Sequence, residues 1–183
     1  GYSLLTHFYS AMSGVVRRNA RRYAGVVEAG YLHDGLDVEI IADGVHLPGP
    51  LLKLVCKIKG PDHTALITDS MRAAGMPEGE YILGNINSGL KVITEEGVAK
   101  LPDRSAFAGS IATTDRLVRT MIDLAEIPLF DAIKMITATP ARIINMNDRI
   151  GAIKVGMDAD LLIFDERINV KMTMIKGRIL SHL

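Results

Sequence analysis

The sequence predicts an α/β fold whose first half is a parallel β-sheet with helical crossovers. Three short apolar segments, at residues 2–8, 38–42 and 64–68, have the length and composition of buried strands. Two segments between them, at about residues 17–29 and at 49–59, place their apolar side chains with the spacing of a helix face. Connections of this length suit right-handed parallel crossovers, so we expect a β-α-β-α-β unit.

The second half of the chain predicts a different organisation. Residues 80–106 are rich in glycine and β-branched residues and indicate short strands in an excursion from the α/β body. Two helices and two strands are expected after it, at residues 115–125 and 129–137 and at residues 159–165 and 170–179, with Pro140 interrupting the chain after the second helix. The composition changes near Gly151, which divides a body at 1–150 from a small β appendage at 151–183.

Composition limits the class of protein. With 183 residues, 48% of them hydrophobic, the chain is expected to bury one sizeable core. The 21 basic and 21 acidic residues balance, which argues against nucleic acid or a membrane surface as partner, and no apolar run reaches the roughly 18 residues of a membrane span. The single cysteine, Cys56, excludes an internal disulfide framework and favours a buried role in the reducing cytoplasm.

Histidine and aspartate residues follow each of the three predicted parallel strands. His7 ends the first strand, Asp43 and His46 follow the second, and Asp69 follows the third. Because the carboxyl ends of parallel strands meet at one edge, this pattern is typical of a barrel hydrolase site. The residues alone leave simpler roles open: His7 as a satisfied core histidine, His46 as a loop residue, and Asp69 as a cap of the following loop.

Four arginines lie within six residues at the predicted start of the first helix, at positions 17, 18, 21 and 22. Such a run is most often a solvated helix face. The functional alternative is an anion clamp, because guanidinium groups bind phosphate oxygens in a bidentate manner. The sequence does not decide between the two.

Several motifs in order identify a family resemblance. They lie at residues 6–12, 41–46, 68–69, 107–110, 138–142 and 151–160. Together they resemble the C-terminal part of the N-acetylglucosamine-6-phosphate deacetylase family, in the amidohydrolase superfamily. The resemblance implies a metal-dependent (β/α)₈ barrel at 1–150 and strands of a small β-sandwich at 151–183. It also implies a cytoplasmic hydrolase that cleaves the linear acetamide of N-acetylglucosamine 6-phosphate in amino-sugar catabolism.

The resemblance also implies roles for the residues at the strand ends. His7 matches a ligand of the family's divalent metal, for which zinc is expected and iron, manganese or cobalt are alternatives. Asp69 matches the catalytic aspartate, which takes a proton from water and returns it to the departing amine. The family's other metal ligands precede the residues present here, so we expect the chain to be a fragment that lacks an upstream portion.

Substrate contacts follow from the same resemblance. His46 and Arg18 match residues that hold the sugar phosphate, often across a subunit interface, which implies a homodimer. Ala11 and Phe107 match positions that line the substrate. Ser10 stands where the family usually has asparagine, and its shorter side chain weakens the inference about the exact amino sugar.

Other functions stay open at this point. The chain is also compatible with a different amidohydrolase, either a cyclic amidase or another amino-sugar deacetylase, which would need no phosphate contact from Arg18. A non-catalytic half-barrel that serves assembly or binding is a further alternative. A regulator that only binds a sugar phosphate would leave Asp69 without an evident purpose.

Overall fold

The computed structural model describes residues 1–182, with the backbone alone at 181 and 182, so residue 183 of the predicted appendage lies outside it. Within this range the elements are, in chain order, β1 (Leu4–Leu5), β2 (Val16–Arg18), β3 (Arg21–Tyr23), α1 (Val26–Leu32), β4 (Asp37–Ile41), α2 (Gly49–Lys59), β5 (Thr64–Ile67), β6 (Gly79–Leu83), β7 (Leu90–Glu95), β8 (Val98–Lys100), α3 (Thr114–Asp123), α4 (Leu129–Ile136), α5 (Ala138–Ile143), β9 (Leu161–Phe164), β10 (Val170–Ile175) and β11 (Arg178–His182). None of the helices in residues 1–182 combines the length and apolar character that crossing a membrane requires.

The predicted β-α-β-α-β unit is confirmed. Strands β1, β4 and β5 form one parallel sheet with β4 in the centre, and Leu5 pairs with Val38 while Ile40 pairs with Leu66. The first strand is shorter than the predicted 2–8, because the backbone turns directly after Leu5. Helix α2 has the predicted bounds, since its apolar positions repeat with helical spacing and bury Leu52 and Val55.

The predicted helix over residues 17–29 is wrong in its first half. Residues 16–23 form an antiparallel hairpin, and the helix is limited to Val26–Leu32. Asn19 and Ala20, with φ of 49° and 66°, make the two-residue turn that matches the twist of a hairpin. Adjacent arginines without nearby carboxylates also give a helix no stabilising side-chain pairs. Helix α1 instead begins after Gly25, whose N–H donates to Glu28 Oε2 at 2.6 Å.

The main core lies between the parallel sheet and the helices that pack on it. Helices α2, α3, α4 and α5 all contact β5. The largest side chains that are fully buried in this core include Phe8, Ile40, Leu52, Leu117, Met121 and Met135. Transfer of such side chains from water contributes about 1.5–3 kcal/mol each, so this layer supplies most of the free energy that holds the sheet in place.

The excursion over residues 80–106 consists of strands, as predicted. Strands β6, β7 and β8 form an antiparallel meander with its own small core, in which Val92 and Ala99 pack against Met71 and Ala108. The polypeptide then returns to the carboxyl end of β5, where Ser70 and Ser110 form an isolated bridge. The meander is therefore anchored beside the end of β5.

Two predictions about the end of the chain need correction. Pro140 does not end the helical region: it lies in the first turn of α5, where the missing N–H costs no helical hydrogen bond. The predicted strand at 170–179 is two strands, β10 and β11, because Lys176 and Gly177 adopt φ of 49° and 76° and form a hairpin turn. Residues 1–182 thus contain a parallel sheet of three strands and, at the chain end, an antiparallel sheet of three strands.

An ion-pair network ties α5 to the amino end of the sheet. Asp37, the first residue of β4, is buried and receives both Nη atoms of Arg142, at 3.0 and 2.7 Å. His63 Nδ1 lies 2.8 Å from the same carboxylate. Burial alone would raise the pKa of Asp37, but the hydrogen bonds from Arg142 and His63 outweigh it and hold the pKa below its usual value.

We expect Arg142→Ala to lower the free energy of unfolding by about 2 kcal/mol, less than for a fully buried pair because Arg142 is partly exposed. Urea unfolding at pH 7 measures the change. The lowered pKa of Asp37 stabilises the fold above the unfolded value of about 3.9, and this contribution is lost as the pH falls through the folded pKa. The difference between parent and variant should therefore shrink in acid.

Arg149→Ala is the matched control, since Arg149 pairs with Asp158 at 2.8 Å but at the surface. It should change the free energy of unfolding by less than about 1 kcal/mol. Equal effects of the two substitutions would contradict a special role for the network at Asp37.

Candidate active site at the carboxyl edge of the sheet

The sequence-predicted site residues at the three strand ends lie along one edge of the parallel sheet. His7 comes two residues after β1 ends, the turn from Asp43 to His46 follows β4, and Asp69 comes two residues after β5. Because β1, β4 and β5 run in the same direction with β4 in the centre, the His46 turn lies between the ends that carry His7 and Asp69. Sheet topology alone therefore gathers two imidazoles and a carboxylate at one edge.

The backbone around His7 is held in an unusual conformation. His7, Tyr9 and Ala11 have φ of 35°, 80° and 55°, in the left-handed region that residues other than glycine seldom adopt. Phe8, between them, is buried, and its N–H donates to Glu39 O at 2.7 Å. Strain of this kind persists where surrounding contacts over-determine the backbone, which is common at functional sites.

An aromatic cluster supplies those contacts. The ring of Tyr31, on α1, packs edge-on against Phe8 with centroids 5.2 Å apart, and its hydroxyl lies 2.8 Å from that of Tyr9. Burial and the hydrogen bond with Tyr9 both raise the pKa of Tyr31 well above its usual value, so its hydroxyl stays protonated. Helix α1 thus fixes the segment that also carries Ser10 and Ala11.

His7 itself has an unsatisfied ring nitrogen. Its Nδ1 is buried and has no hydrogen-bond partner within residues 1–182. The other buried polar side-chain atom without a partner in that range, Thr64 Oγ1, lies at the opposite end of its strand. A satisfied core histidine would bond this nitrogen to the protein, because leaving it unpaired costs about 1–3 kcal/mol. The free nitrogen fits the predicted role of a metal ligand better.

His46 is fixed by a carboxylate that the sequence analysis did not select as a site residue. Asp43 Oδ2 lies 2.7 Å from His46 Nδ1, and Asp43 Oδ1 accepts the N–H groups of Val45 and His46 at 2.9 and 2.8 Å. Burial opposes ionisation of Asp43, but these hydrogen bonds outweigh it and lower its pKa. The signal in the sequence was the Asp-Gly-x-His spacing, in which aspartate bonds the backbone of its own turn.

Phe107 contacts His46, so two predicted substrate-binding residues meet. Their ring centroids lie 4.6 Å apart with the planes tilted by 45°, and Phe107 is 45% exposed at the rim. Arg116, on α3, donates Nη2 to Asp43 O at 2.8 Å and Nη1 to Gly97 O at 2.7 Å. This arginine, which sequence reasoning also missed, ties the His46 turn to the excursion that leads into Phe107.

Asp69 presents a free carboxylate at the sheet edge. Its φ is 47°, its side chain is exposed, and no group within residues 1–182 donates a hydrogen bond to the carboxylate. Its backbone oxygen instead accepts Ser110 N–H at 3.0 Å, and Met71 N–H donates to Ser110 O at 2.8 Å. The simple capping role is therefore not observed, because the carboxylate receives no backbone donor.

The four arginines lie on the β2–β3 hairpin rather than on a helix. Arg17 pairs with Arg22 and Arg18 with Arg21 across the hairpin, and all four are exposed. None of them forms a hydrogen bond or ion pair within residues 1–182, so the structure does not join Arg18 to His46. Like charges directly opposite each other are destabilising, and a hairpin of this kind gains from an anionic partner.

The described residues do not form a complete metal site by themselves. No group of three or more His, Cys, Asp or Glu side chains arranged to hold an ion occurs within residues 1–182. A catalytic zinc ion usually takes three protein ligands. His7, with its free ring nitrogen, fits the predicted role of one ligand of such a site, whereas the free carboxylate of Asp69 fits its predicted role as a proton acceptor.

Comparison with known proteins identifies relatives along the whole chain. The model of the amidohydrolase family matches residues 3–180. An N-acetylglucosamine-6-phosphate deacetylase of Lysinibacillus sphaericus is 37% identical over 179 residues, which are 98% of this chain and 44% of that protein. A crystal structure of N-acetylglucosamine-6-phosphate deacetylase from Pasteurella multocida superimposes with a TM-score of 0.88 at 28% identity, covering 100% of this chain and 45% of the other.

A further relative differs in length. A putative N-acetylgalactosamine-6-phosphate deacetylase of Escherichia coli (strain K12) is 33% identical over 175 residues, which are 96% of this chain and 99% of that protein. The chain therefore spans less than half of the Lysinibacillus and Pasteurella proteins, but nearly all of this one.

Proposed function

Because the chain belongs to the amidohydrolase family, we propose that it carries the catalytic edge of a deacetylase that converts N-acetylglucosamine 6-phosphate to glucosamine 6-phosphate and acetate. One observation carries this proposal: three consecutive parallel strands end at His7, the His46 turn and Asp69. The names of the relatives support the same substrate class. The proposal includes a cytoplasmic location, which the cysteine content favours.

Deacetylases of this superfamily depend on a metal, and we assign His7 as one ligand. The support is the buried ring nitrogen that lacks a protein partner. When bound, a divalent metal, for which we propose zinc, supplies Lewis acidity toward the acetamide carbonyl and the attacking water. A catalytic zinc ion usually takes two protein ligands besides one such histidine. Iron, manganese and cobalt suit the same mixed donor set.

Asp69 acts as general base and then as general acid. Its exposed carboxylate has no competing donor within residues 1–182, so it is available to accept a proton from the attacking water. The water oxygen bonds to the carbonyl carbon, the C–N bond breaks, and the proton passes to the departing amine. The products are acetate and the free amino sugar. The strained backbone at Asp69 is consistent with a residue retained for chemistry rather than stability.

The sugar phosphate is held by His46 and by Arg18. His46 lies at the same end of the sheet as Asp69, and the guanidinium of exposed Arg18 has no hydrogen-bond partner within residues 1–182, as a contact to a second subunit would require. We therefore propose a homodimer in which each hairpin reaches the partner's site. Ser10, Ala11 and Phe107 line the sugar.

We also propose an architecture for the protein around this site. Residues 1–150 contribute the C-terminal part of a (β/α)₈ barrel, and residues 151–183 contribute strands of a small β-sandwich. The apolar side chains that the chain-end sheet exposes support this, because a sandwich buries such a face against a second sheet. Half-exposed examples are Leu162, Ile163, Ile179 and Leu180.

A second candidate substrate is N-acetylgalactosamine 6-phosphate. The relative of matching length carries a name of that class, and Ser10 replaces the asparagine usual in the glucosamine enzymes. The two sugars differ at one hydroxyl, so the same acetamide and phosphate contacts serve both. Comparing kcat/KM for the two sugar phosphates decides between them.

Acetate release from N-acetylglucosamine 6-phosphate tests the reaction. Using the complete protein with added zinc, we expect Asp69→Asn to lower kcat by about 10²–10⁴-fold, the usual contribution of a general acid–base group. Asp123→Asn, which changes an exposed carboxylate of α3, is the matched control and should leave kcat unchanged. Activity retained in the Asp69 variant would overturn the catalytic assignment. A parent protein that cleaves only unphosphorylated or cyclic amides would favour a cyclic amidase instead.

The proposed contact between Arg18 and the sugar phosphate is tested by comparing Arg18 with its neighbour Arg17. Arg18→Ala should raise KM for the phosphorylated sugar by about 10- to 100-fold, the loss expected for a charge-assisted hydrogen bond, and leave unphosphorylated N-acetylglucosamine unaffected. Arg17→Ala is the control, because successive residues of a strand point to opposite faces. Equal effects would indicate only a general electrostatic contribution.

The cross-subunit contact has its own test. Asp69→Asn and Arg18→Ala subunits are mixed after reversible dissociation. If Arg18 serves the partner's site, each mixed dimer contains one site with both residues intact, and activity returns. If Arg18 serves its own site, every site keeps one defect and mixing restores nothing.

A further inference from the structure

We infer that Asp43 is a positioning residue, which holds the His46 imidazole so that Nε2 alone meets the sugar phosphate. The inference rests on the proposed contact between His46 and phosphate. It adds a residue that the family resemblance did not supply, and a definite protonation pattern for the ring.

The carboxylate of Asp43 is fully buried, and both of its oxygens have hydrogen-bond partners. One oxygen accepts the two N–H groups of Val45 and His46, and the other lies 2.7 Å from His46 Nδ1. An ionised carboxylate only accepts hydrogen bonds, so Nδ1 must carry the proton in this pair. The lowered pKa of Asp43 agrees with the ionised form. Nε2 is then the ring nitrogen left for a ligand.

Packing prevents the ring from presenting its other edge. The side chain of His46 is only 6% exposed, and Phe107 lies against its face. Arg116 fixes the relative position of these groups, since it bonds both to Asp43 O and to Gly97 O of the excursion. A ring flip would break the bond to Asp43 and lose this packing. Phosphate then meets an already ordered ring: while Nδ1–H donates to Asp43, Nε2 carries the second proton of the imidazolium in the complex and donates it to the phosphate, so no ring ordering opposes binding.

A simpler alternative is that Asp43 only caps its turn. The variant Asp43→Asn distinguishes a turn cap from a residue that positions the His46 ring. Its amide oxygen still accepts the backbone N–H groups, but its NH₂ group cannot accept a hydrogen bond from Nδ1–H. The chain offers a matched control at the other end of β4. Asp37 is also a buried aspartate with a histidine Nδ1 at 2.8 Å, but it lies on the opposite edge of the sheet.

The first readout is the His46 tautomer by ¹⁵N NMR of the imidazole ring. In the parent protein we expect a proton on Nδ1, and in Asp43→Asn we expect the neutral ring to move its proton to Nε2. Asp37→Asn should leave the His46 signals unchanged. A turn cap alone would not alter the tautomer, so an unchanged tautomer in Asp43→Asn overturns the inference.

The second readout is kinetic, in the complete protein. Asp43→Asn should raise KM for N-acetylglucosamine 6-phosphate by about tenfold, because the neutral His46 ring of this variant donates from Nε2 without the positive charge that strengthens this bond in the parent, while kcat stays within about twofold and unphosphorylated N-acetylglucosamine is unaffected. Equal changes for both sugars would overturn the inference. If His46→Asn raises this KM and Asp43→Asn does not, the inference fails while the proposed function stands. If His46→Asn has no effect, the proposed phosphate contact itself fails.

Discussion

The parallel pairing of β1, β4 and β5 is the constraint on which the site depends. Each strand leaves the sheet at the same end, so three separate loops bring His7, the His46 turn and Asp69 to that end. The buried core beneath fixes the strands, and Phe8 continues the hydrogen bonding of β1 past its last residue by donating to Glu39. Errors in the register of β4 would move the His46 turn relative to both neighbours.

A buried aspartate that contacts a histidine lies at or just beyond each end of β4, and the two pairs have different consequences. At the amino end Asp37 binds Arg142 and His63, which anchors α5 and stabilises the fold. At the carboxyl end Asp43 accepts hydrogen bonds from the backbone of its own turn and from the ring of His46. The same chemistry therefore stabilises the fold at one end of the sheet and, in the proposed function, orients the phosphate-binding ring at the other.

Much of the fold could be predicted from the sequence, and the failures have physical reasons. Helix α2 and the three parallel strands were recognisable because apolar residues repeat with the right period. The arginine hairpin was not, because its turn residues Asn19 and Ala20 lack the usual glycine signal. Placement of His7, His46 and Asp69 followed from strand order. The Asp-Gly-x-His spacing indicated that Asp43 bonds its own turn, but its contact with the His46 ring depends on burial and tertiary packing, which the sequence does not show.

The most direct test is a crystal structure of the complete Asp69→Asn protein with N-acetylglucosamine 6-phosphate bound. The account predicts one sugar at the carboxyl edge, with its acetamide between His7 and position 69 and its phosphate on His46 Nε2. A sugar phosphate bound at the opposite edge, near Arg142, or with its phosphate remote from His46, would contradict it. That result would leave the family and the fold intact, and remove the proposed arrangement of the site.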